Sequence, residues 1–227
     1  MKNSESTKQK PDDLLIHFLT IRKAVGILGI ALPFVLYFGV NWLTTCSILQ
    51  NSISDYYYTK MGHYMTGTLC AVALFMFTYK GYQKADLWAA KLAAVFALGV
   101  AFFPTNNYDE LSACKVLALD GNKTINIIHF TSAALLFIIF AFFSLILFTK
   151  SSGHKTKRKK QRNIVYRVCG IVILLSIGLL LIYALSDSLQ DKLRQYKPIF
   201  WLETSALIAF GTSWLTKGEG LLWDKED

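Results

Sequence analysis

The sequence has few charged residues for its length: Asp, Glu, Lys and Arg make up 17% of its 227 residues. Soluble domains carry about 25%, so this chain lacks the polar surface that a water-soluble globule requires. That shortage, beside an apolar content of 53%, excludes most soluble enzymes and a disordered chain. The sequence also lacks an internal repeat, a low-complexity segment and a soluble module. It therefore predicts a protein that lies in a membrane.

Six apolar runs are long enough to cross a bilayer, which takes roughly 17 to 25 residues in a helix. The runs are Ala24–Leu43, Gly62–Tyr79, Leu87–Pro104, Ile125–Thr149, Ile164–Ser186 and Ile199–Thr216. They predict an all-α, polytopic membrane protein with six transmembrane helices in one bundle. The expected organisation is a cytoplasmic segment over 1–23, a six-helix domain over 24–216 and a cytoplasmic tail over 217–227.

Positive charge is unevenly distributed among the segments between these runs. If the N-terminus lies inside, the cytoplasmic segments carry 16 Lys and Arg residues and the outer loops carry 6. Cytoplasmic loops are enriched in Lys and Arg, so the count predicts that both termini lie inside. Topology thereby accounts for the net charge of +9 without a nucleic-acid partner. We expect a multi-pass protein of the plasma membrane, or of the inner membrane in a prokaryote, whose basic loop Lys150–Arg162 binds anionic lipid head groups.

The carboxylates and histidines near the spans collect at the predicted outer end. Asp55 precedes the second span, His63 begins it, His129 lies one turn into the fourth, and Glu203 lies one turn into the sixth. Ionisable residues at membrane depth are costly and indicate function by default. Polar neighbours extend this set with candidate ligand-binding residues: Ser54, Tyr57, His63, Asn126 and Ser132. The pattern predicts a polar cavity that opens outward.

Several chemistries fit these side chains. His63, His129 and Glu203 would suit a single divalent metal such as Zn²⁺, with water at an open position. Asp55, His129 and Glu203 would suit acid–base catalysis on a lipid head group or ester, with a Ser or Tyr hydroxyl as nucleophile. A structural role, in which these groups only hold helices together, stays open. No HExxH or GxSxG signature decides among them.

Two of the four cysteines, Cys46 and Cys114, fall in loops assigned to the outer side. If that side is oxidising, they are able to form a disulfide between the first and second outer loops. Sequence alone leaves open whether their Cα atoms come within bonding range.

Short elements near the predicted outer end resemble a known superfamily. They are Ile53-Ser54-Asp55, Ile128-His129-Phe130 and Trp201-Leu202-Glu203. In these three elements the chain resembles a six-span superfamily. That superfamily includes the DRAM autophagy modulators, the Sfk-type proteins and the GPI-anchor lipid-remodelling proteins, together with uncharacterised prokaryotic relatives. The resemblance implies a six-helix topology with both termini inside, an outward-facing set of Asp55, His129 and Glu203, and a link to lipid handling. It does not extend to His63.

We therefore expect an integral membrane protein whose outward-facing Asp/His/Glu cavity binds a lipid or amphiphile. In one version of this hypothesis the protein also modifies the molecule that it binds. The alternatives are a non-enzymatic scaffold or regulator and a proton- or ion-coupled transporter. Transporters place their charged sites near the bilayer midplane, whereas the middle of each predicted span is apolar or small. This difference disfavours transport.

Overall fold

The computed structural model describes residues 11–81, 83–105, 114–117, 122–151 and 156–222. Within these ranges the fold is all-α, and the only strand-like pairing is an isolated antiparallel bridge between Thr59 and Lys115. The α-helices are α1 (Pro11–Leu43), α2 (Gly62–Thr78), α3 (Lys84–Phe102), α4 (Lys123–Phe142), α5 (Lys157–Ala184), α6 (Asp187–Leu193) and α7 (Pro198–Lys217). Short 3-10 turns cover Ser54–Tyr58 and Arg194–Tyr196, and a π-helical turn, Phe143–Leu147, continues α4.

Four of the described helices are long and apolar enough to cross a membrane. They are Phe18–Leu43 within α1, Lys84–Phe102, Lys123–Leu147 and Lys157–Ala184. Helix α2 has only 17 residues, and α7 carries Glu203 and several hydroxyl side chains that lower its mean hydropathy. The four long apolar helices make the chain a multi-pass membrane protein.

Two helices, α1 and α5, begin more than one turn before the runs that the sequence predicts. Helix α1 runs without a break from Pro11, so residues 11–23 are helical, and the part of α1 that is long and apolar enough to cross a membrane begins at Phe18. Helix α5 begins at Lys157, where the Thr156 hydroxyl accepts the Lys159 N–H at 3.1 Å as an N-cap. Lys157–Arg162 is therefore helix and not loop, because Lys and Arg are good helix formers. Residues 1–10, 152–155 and 223–227, which the segment, basic-loop and tail predictions include, lie outside the described residues.

The six long helices pack as a closed ring in the order α1, α2, α3, α4, α5, α7, with α7 returning to α1. The short α6 connects α5 to α7. Inside the ring, Phe140 of α4 stacks on Phe210 of α7 with ring centroids 3.8 Å apart. This stacked pair fills the space between two helices that are not neighbours in the ring.

Glycines allow the closest helix approaches in the ring. On α1, a Cβ at Gly26 would lie 2.8 Å from the carbonyl oxygen of Gly211 on α7, and a Cβ at Gly211 would overlap the Gly26 carbonyl oxygen in turn. A Cβ at Gly99 of α3 would overlap the side chain of Ser132 on α4. In lipid the hydrophobic effect does not drive helices together, so such small residues provide the close packing.

An aromatic cluster fills the end of the ring where α2 finishes and α7 finishes. Tyr79, Phe143 and Phe148 surround the fully buried Trp214, with ring centroids 5.2 to 5.3 Å from its ring. The buried Arg22 guanidinium lies 5.5 Å from the centroid of the Tyr79 ring. This end is therefore closed by packed rings, and the polar groups considered below lie at the other end.

Candidate functional site

The segment between α1 and α2, residues 44–61, is here called the strap. It is tied to the segment after α3 by a disulfide between Cys46 and Cys114, whose Cα atoms are 5.4 Å apart. The Val116 N–H also donates to the Tyr58 carbonyl oxygen at 2.8 Å. On the other side of the ring, the Phe200 N–H of α7 donates to the Asn51 carbonyl oxygen at 3.0 Å. The strap therefore closes one end of the ring, which we call the disulfide end.

Two buried tyrosines anchor the strap. The Tyr58 hydroxyl donates to the carbonyl oxygen of Thr105, and the Tyr56 ring packs against Phe200 at a centroid distance of 6.2 Å. Burial raises the pKa of both phenols to about 12. Both side chains therefore stay neutral at physiological pH, and Tyr58 keeps the proton that it donates to Thr105.

Ser54, in the strap, and His129, in α4, form a direct hydrogen bond of 2.9 Å between Ser54 Oγ and His129 Nε2. The other ring nitrogen, Nδ1, lies 2.6 Å from the carbonyl oxygen of Phe103, just after α3. A carbonyl oxygen only accepts hydrogen bonds, so in the neutral ring the proton is on Nδ1. His129 Nε2 is then the acceptor, and the Ser54 hydroxyl is its donor.

Glu203 fixes the strap to α7. Its Oε2 atom accepts the Ile53 N–H at 2.6 Å, one residue before Ser54. The carboxylate reaches the strap because Glu203 lies in the second turn of α7, which begins at Pro198 after Lys197 in a left-handed conformation (φ 54°). Asp55 follows Ser54, and its N–H donates to Ser52 Oγ at 3.0 Å. The strap thus places Ser54 and Asp55 beside Glu203.

Two cavities meet at these residues. The larger, of about 420 Å³, is called the polar cavity because most of the residues around it are polar or charged. It is lined by Ser54, Asp55 and Glu203 together with Asn51, Ser52, Thr105, Lys115, Phe130, Tyr183, Gln190, Asp191, Arg194, Lys197, Pro198 and Ile199. The smaller, of about 70 Å³, lies inside the ring and has an apolar wall that includes Leu32, Ala133, Leu136, Leu207 and Phe210. Ser54 and Glu203 line both cavities, so polar and apolar space adjoin there.

The other predicted site residues lie away from these two cavities. His63 is exposed on α2, and Tyr57 contacts the Tyr58 ring at a centroid distance of 5.4 Å. Ser132 is buried against Gly99 of α3, and Asn126 is half-buried in the second turn of α4. None of these four residues lines either cavity, and neither does His129, which lies behind Ser54 and contacts it through the 2.9 Å hydrogen bond. In the described part of the chain no three His, Cys, Asp or Glu side chains group closely enough to hold a metal ion, so His63, His129 and Glu203 are not brought together.

Several lining residues do not figure in the sequence-based set. Arg194 and Lys197, which precede α7, and Lys115, beside the disulfide, contribute only to the positive-charge count of the outer loops. Lys197 Nζ donates to Asn51 Oδ1, which brings the start of α7 onto the strap. These three residues lie in loops at the same predicted end as Glu203. That position is the feature of the sequence from which they could have been predicted as cavity residues.

Comparison with known proteins gives one match. The family model described as "Protein of unknown function (DUF998)" matches residues 24–215. The chain belongs to this family. The match covers most of the helical ring, from residue 24 within α1 to residue 215 within α7. It agrees with a resemblance to uncharacterised relatives, but it does not extend to the DRAM, Sfk-type and GPI-anchor lipid-remodelling proteins. No curated protein and no solved structure matches the chain.

Proposed function

We propose that this DUF998 protein is a six-span membrane protein that binds a lipid or other amphiphile at its disulfide end. The observation that carries the proposal is the junction at Ser54 and Glu203, which line both the polar cavity and the apolar cavity. Binding sites of small molecules are concave and mostly apolar, with a few placed polar groups. An amphiphile suits this junction because its head group and its chain require the two environments side by side.

The closed ring supports six crossings. Helices α2 and α7 each pack between two other ring helices, so they lie at the same membrane depth as the four long apolar spans. An even number of crossings puts both termini on one side, and the excess of Lys and Arg assigns that side to the cytoplasm. The disulfide end then faces outward, where disulfides form and persist, and the polar cavity opens at the outer leaflet.

The charges of the polar cavity suit a head group that carries charge. Its lining includes three cationic side chains (Lys115, Arg194 and Lys197) and the carboxylates of Asp55 and Asp191. Cations attract a phosphate and carboxylates attract an amine, and both effects are strong where water is partly excluded. A zwitterionic phospholipid therefore fits the polar cavity better than a neutral sterol does.

A cavity-filling pair of variants tests this proposal. In Leu207→Trp the indole would occupy the apolar cavity, whereas Leu74→Trp makes the same change at an exposed site on α2. Each protein is taken from nanodiscs of phosphatidylethanolamine and phosphatidylglycerol, and native mass spectrometry counts the phospholipids that it retains.

We expect Leu207→Trp to retain at least about tenfold less lipid, equivalent to about 1.4 kcal/mol of binding free energy, and Leu74→Trp to match the unmodified protein. Equal retention by all three proteins would reject the cavity as a lipid site. It would favour the scaffold or transporter alternatives.

A further inference from the structure

The cavity junction carries a hydroxyl–imidazole pair of the kind that performs nucleophilic catalysis. We infer that Ser54 is a nucleophile, that His129 is its general base, and that the site transfers an acyl group from a carboxylic ester of the bound amphiphile. This inference rests on the proposed function, because it needs an amphiphile at the junction. It adds a reaction and a substrate class, an acyl ester, to a site proposed above only to bind.

The geometry of the pair meets the requirements for an activated serine. The nucleophile and base lie within hydrogen-bond reach, and a third group orients the base. Here the distances are 2.9 Å from Ser54 Oγ to His129 Nε2 and 2.6 Å from His129 Nδ1 to the Phe103 carbonyl oxygen. The bond to Phe103 selects the tautomer that leaves Nε2 free to take the serine proton.

Burial and fixation separate this pair from an ordinary surface contact. His129 is 1% exposed, so contact with water does not disturb the orientation of its ring. The strap holds Ser54 through the Ile53 N–H bond to Glu203 at 2.6 Å. Ser54 itself lines the polar and the apolar cavities. A hydroxyl at that boundary faces the place where an ester joins the head group of an amphiphile to its chain.

The reaction that fits these groups has two balanced steps. Ser54 Oγ attacks the ester carbonyl carbon and its proton passes to His129 Nε2; the bond from that carbon to the alcohol oxygen then breaks, and the alcohol leaves with the proton from His129. Water or a second alcohol next attacks the acyl-serine, again losing its proton to Nε2. The Ser54–acyl bond breaks, Ser54 recovers the proton, and an acid or a new ester leaves.

The surroundings set an expectation for the rate. Lys115 and Lys197 line the same cavity as Ser54, so the cavity in which an oxyanion would develop carries positive charge. The partner of Nδ1 is a neutral carbonyl and not the carboxylate of a Ser-His-Asp triad. A carbonyl stabilises the imidazolium less than a carboxylate does. We therefore expect slower acylation than a full triad gives.

Covalent labelling with dodecyl fluorophosphonate tests the inference. The probe is an amphiphile that phosphonylates activated serines and releases fluoride, and peptide mass spectrometry of the full-length protein in nanodiscs locates the adduct. Ser54→Ala removes the nucleophile and His129→Ala removes the base. Ser205→Ala is the matched control, because Ser205 is exposed on α7 and donates only to the Trp201 carbonyl oxygen.

We expect the adduct on Ser54, none in Ser54→Ala, wild-type labelling in Ser205→Ala, and a rate at least about 100-fold lower in His129→Ala, the usual contribution of a general base. Lipid retention by the unmodified protein is measured in the same preparation, which separates catalysis from binding. An unlabelled Ser54 in a protein that retains lipid would overturn the inference and leave the proposed function standing. Labelling of His129→Ala at the wild-type rate would also overturn the inference and leave the proposed function standing. If the unmodified protein retained no lipid, that result would instead reject the proposed function.

Discussion

Glu203 is the residue that holds the strap on the helical ring. Its carboxylate accepts the Ile53 N–H at 2.6 Å in a place that the ring largely shields from water. A buried donor that loses its partner costs the free energy of desolvation, about 1 to 3 kcal/mol. The position of Ser54 therefore depends on a contact made one residue earlier.

We expect Glu203→Ala to lower the free energy of unfolding by about 1 to 3 kcal/mol, because the Ile53 N–H is left unpaired. Glu203→Gln should lose less, since its amide oxygen is able to accept the same bond. Thermal unfolding in detergent, followed by tryptophan fluorescence, measures the difference. Equal losses in the two variants would show that the charge, and not the hydrogen bond, is what Glu203 contributes.

The structure brings some of the predicted site residues together and separates others, for a physical reason. Asp55, His129 and Glu203 could be grouped because each stands at the same end of a predicted span. The prediction includes His63 because it begins the second span, and Gly67 lies one turn later on the same helical face. In the structure a Cβ added at Gly67 meets nothing within 4 Å, and His63 is exposed. Spacing shows which residues share a face, but neighbouring helices decide where that face points.

At the scale of elements, the crossing of α1 and α7 depends on two glycines. The Gly26 and Gly211 backbones approach so closely that a Cβ on either one meets the carbonyl oxygen of the other. Backbone atoms have little freedom to give way. A methyl group there forces the helices apart.

We expect Gly211→Ala to destabilise the protein by about 1 to 3 kcal/mol, as overpacking of a tight contact does. Gly67→Ala is the matched control in α2, where the added methyl group meets open space. The control should be neutral or stabilising by up to about 1 kcal/mol, since alanine favours helix over glycine. Thermal unfolding of both variants gives the comparison, and similar midpoints would contradict the close-packed crossing.

The elements could be predicted to the extent that they are apolar. Each of the six predicted runs overlaps one of the ring helices, because an uninterrupted apolar stretch is a strong signal of a membrane helix. The first turns of α1 and α5 and the whole of α6 (Asp187–Leu193) are polar. Their boundaries depend on caps such as Thr156, which hydropathy does not register.

At the scale of the whole molecule, the disulfide closes a large loop through the ring. Cys46 and Cys114 are 68 residues apart in sequence, and the loop contains α2 and α3. The chain-entropy model gives about 4 kcal/mol of stabilisation for a loop of this length, and disulfides typically contribute about 2 to 4 kcal/mol. It also holds the strap over the cavities.

We expect Cys46→Ser to lower the thermal midpoint and to make the protein insensitive to dithiothreitol, whereas the reductant lowers the midpoint of the unmodified protein. Cys70→Ser, which changes a free thiol, is the control and should keep the sensitivity. An unmodified protein that unfolds at the same temperature with and without reductant would contradict a stabilising bridge.

The proposed orientation makes a prediction about accessibility in whole cells. In a background with Cys70 and Cys169 replaced by serine, Ser188→Cys on α6 and Ser151→Cys after α4 provide two exposed thiols at opposite ends of the ring. We expect a membrane-impermeant maleimide to label Ser188→Cys on intact cells and Ser151→Cys only after lysis. The reverse pattern would invert the topology.

A density map of the protein in phospholipid nanodiscs tests the central claim most directly. We expect a head group in the polar cavity, against Ser54 and Glu203, with the first part of its chain directed into the apolar cavity beside Leu207. A map with both cavities clearly formed and with phospholipid only around the outside of the ring would contradict the claim that this protein binds an amphiphile.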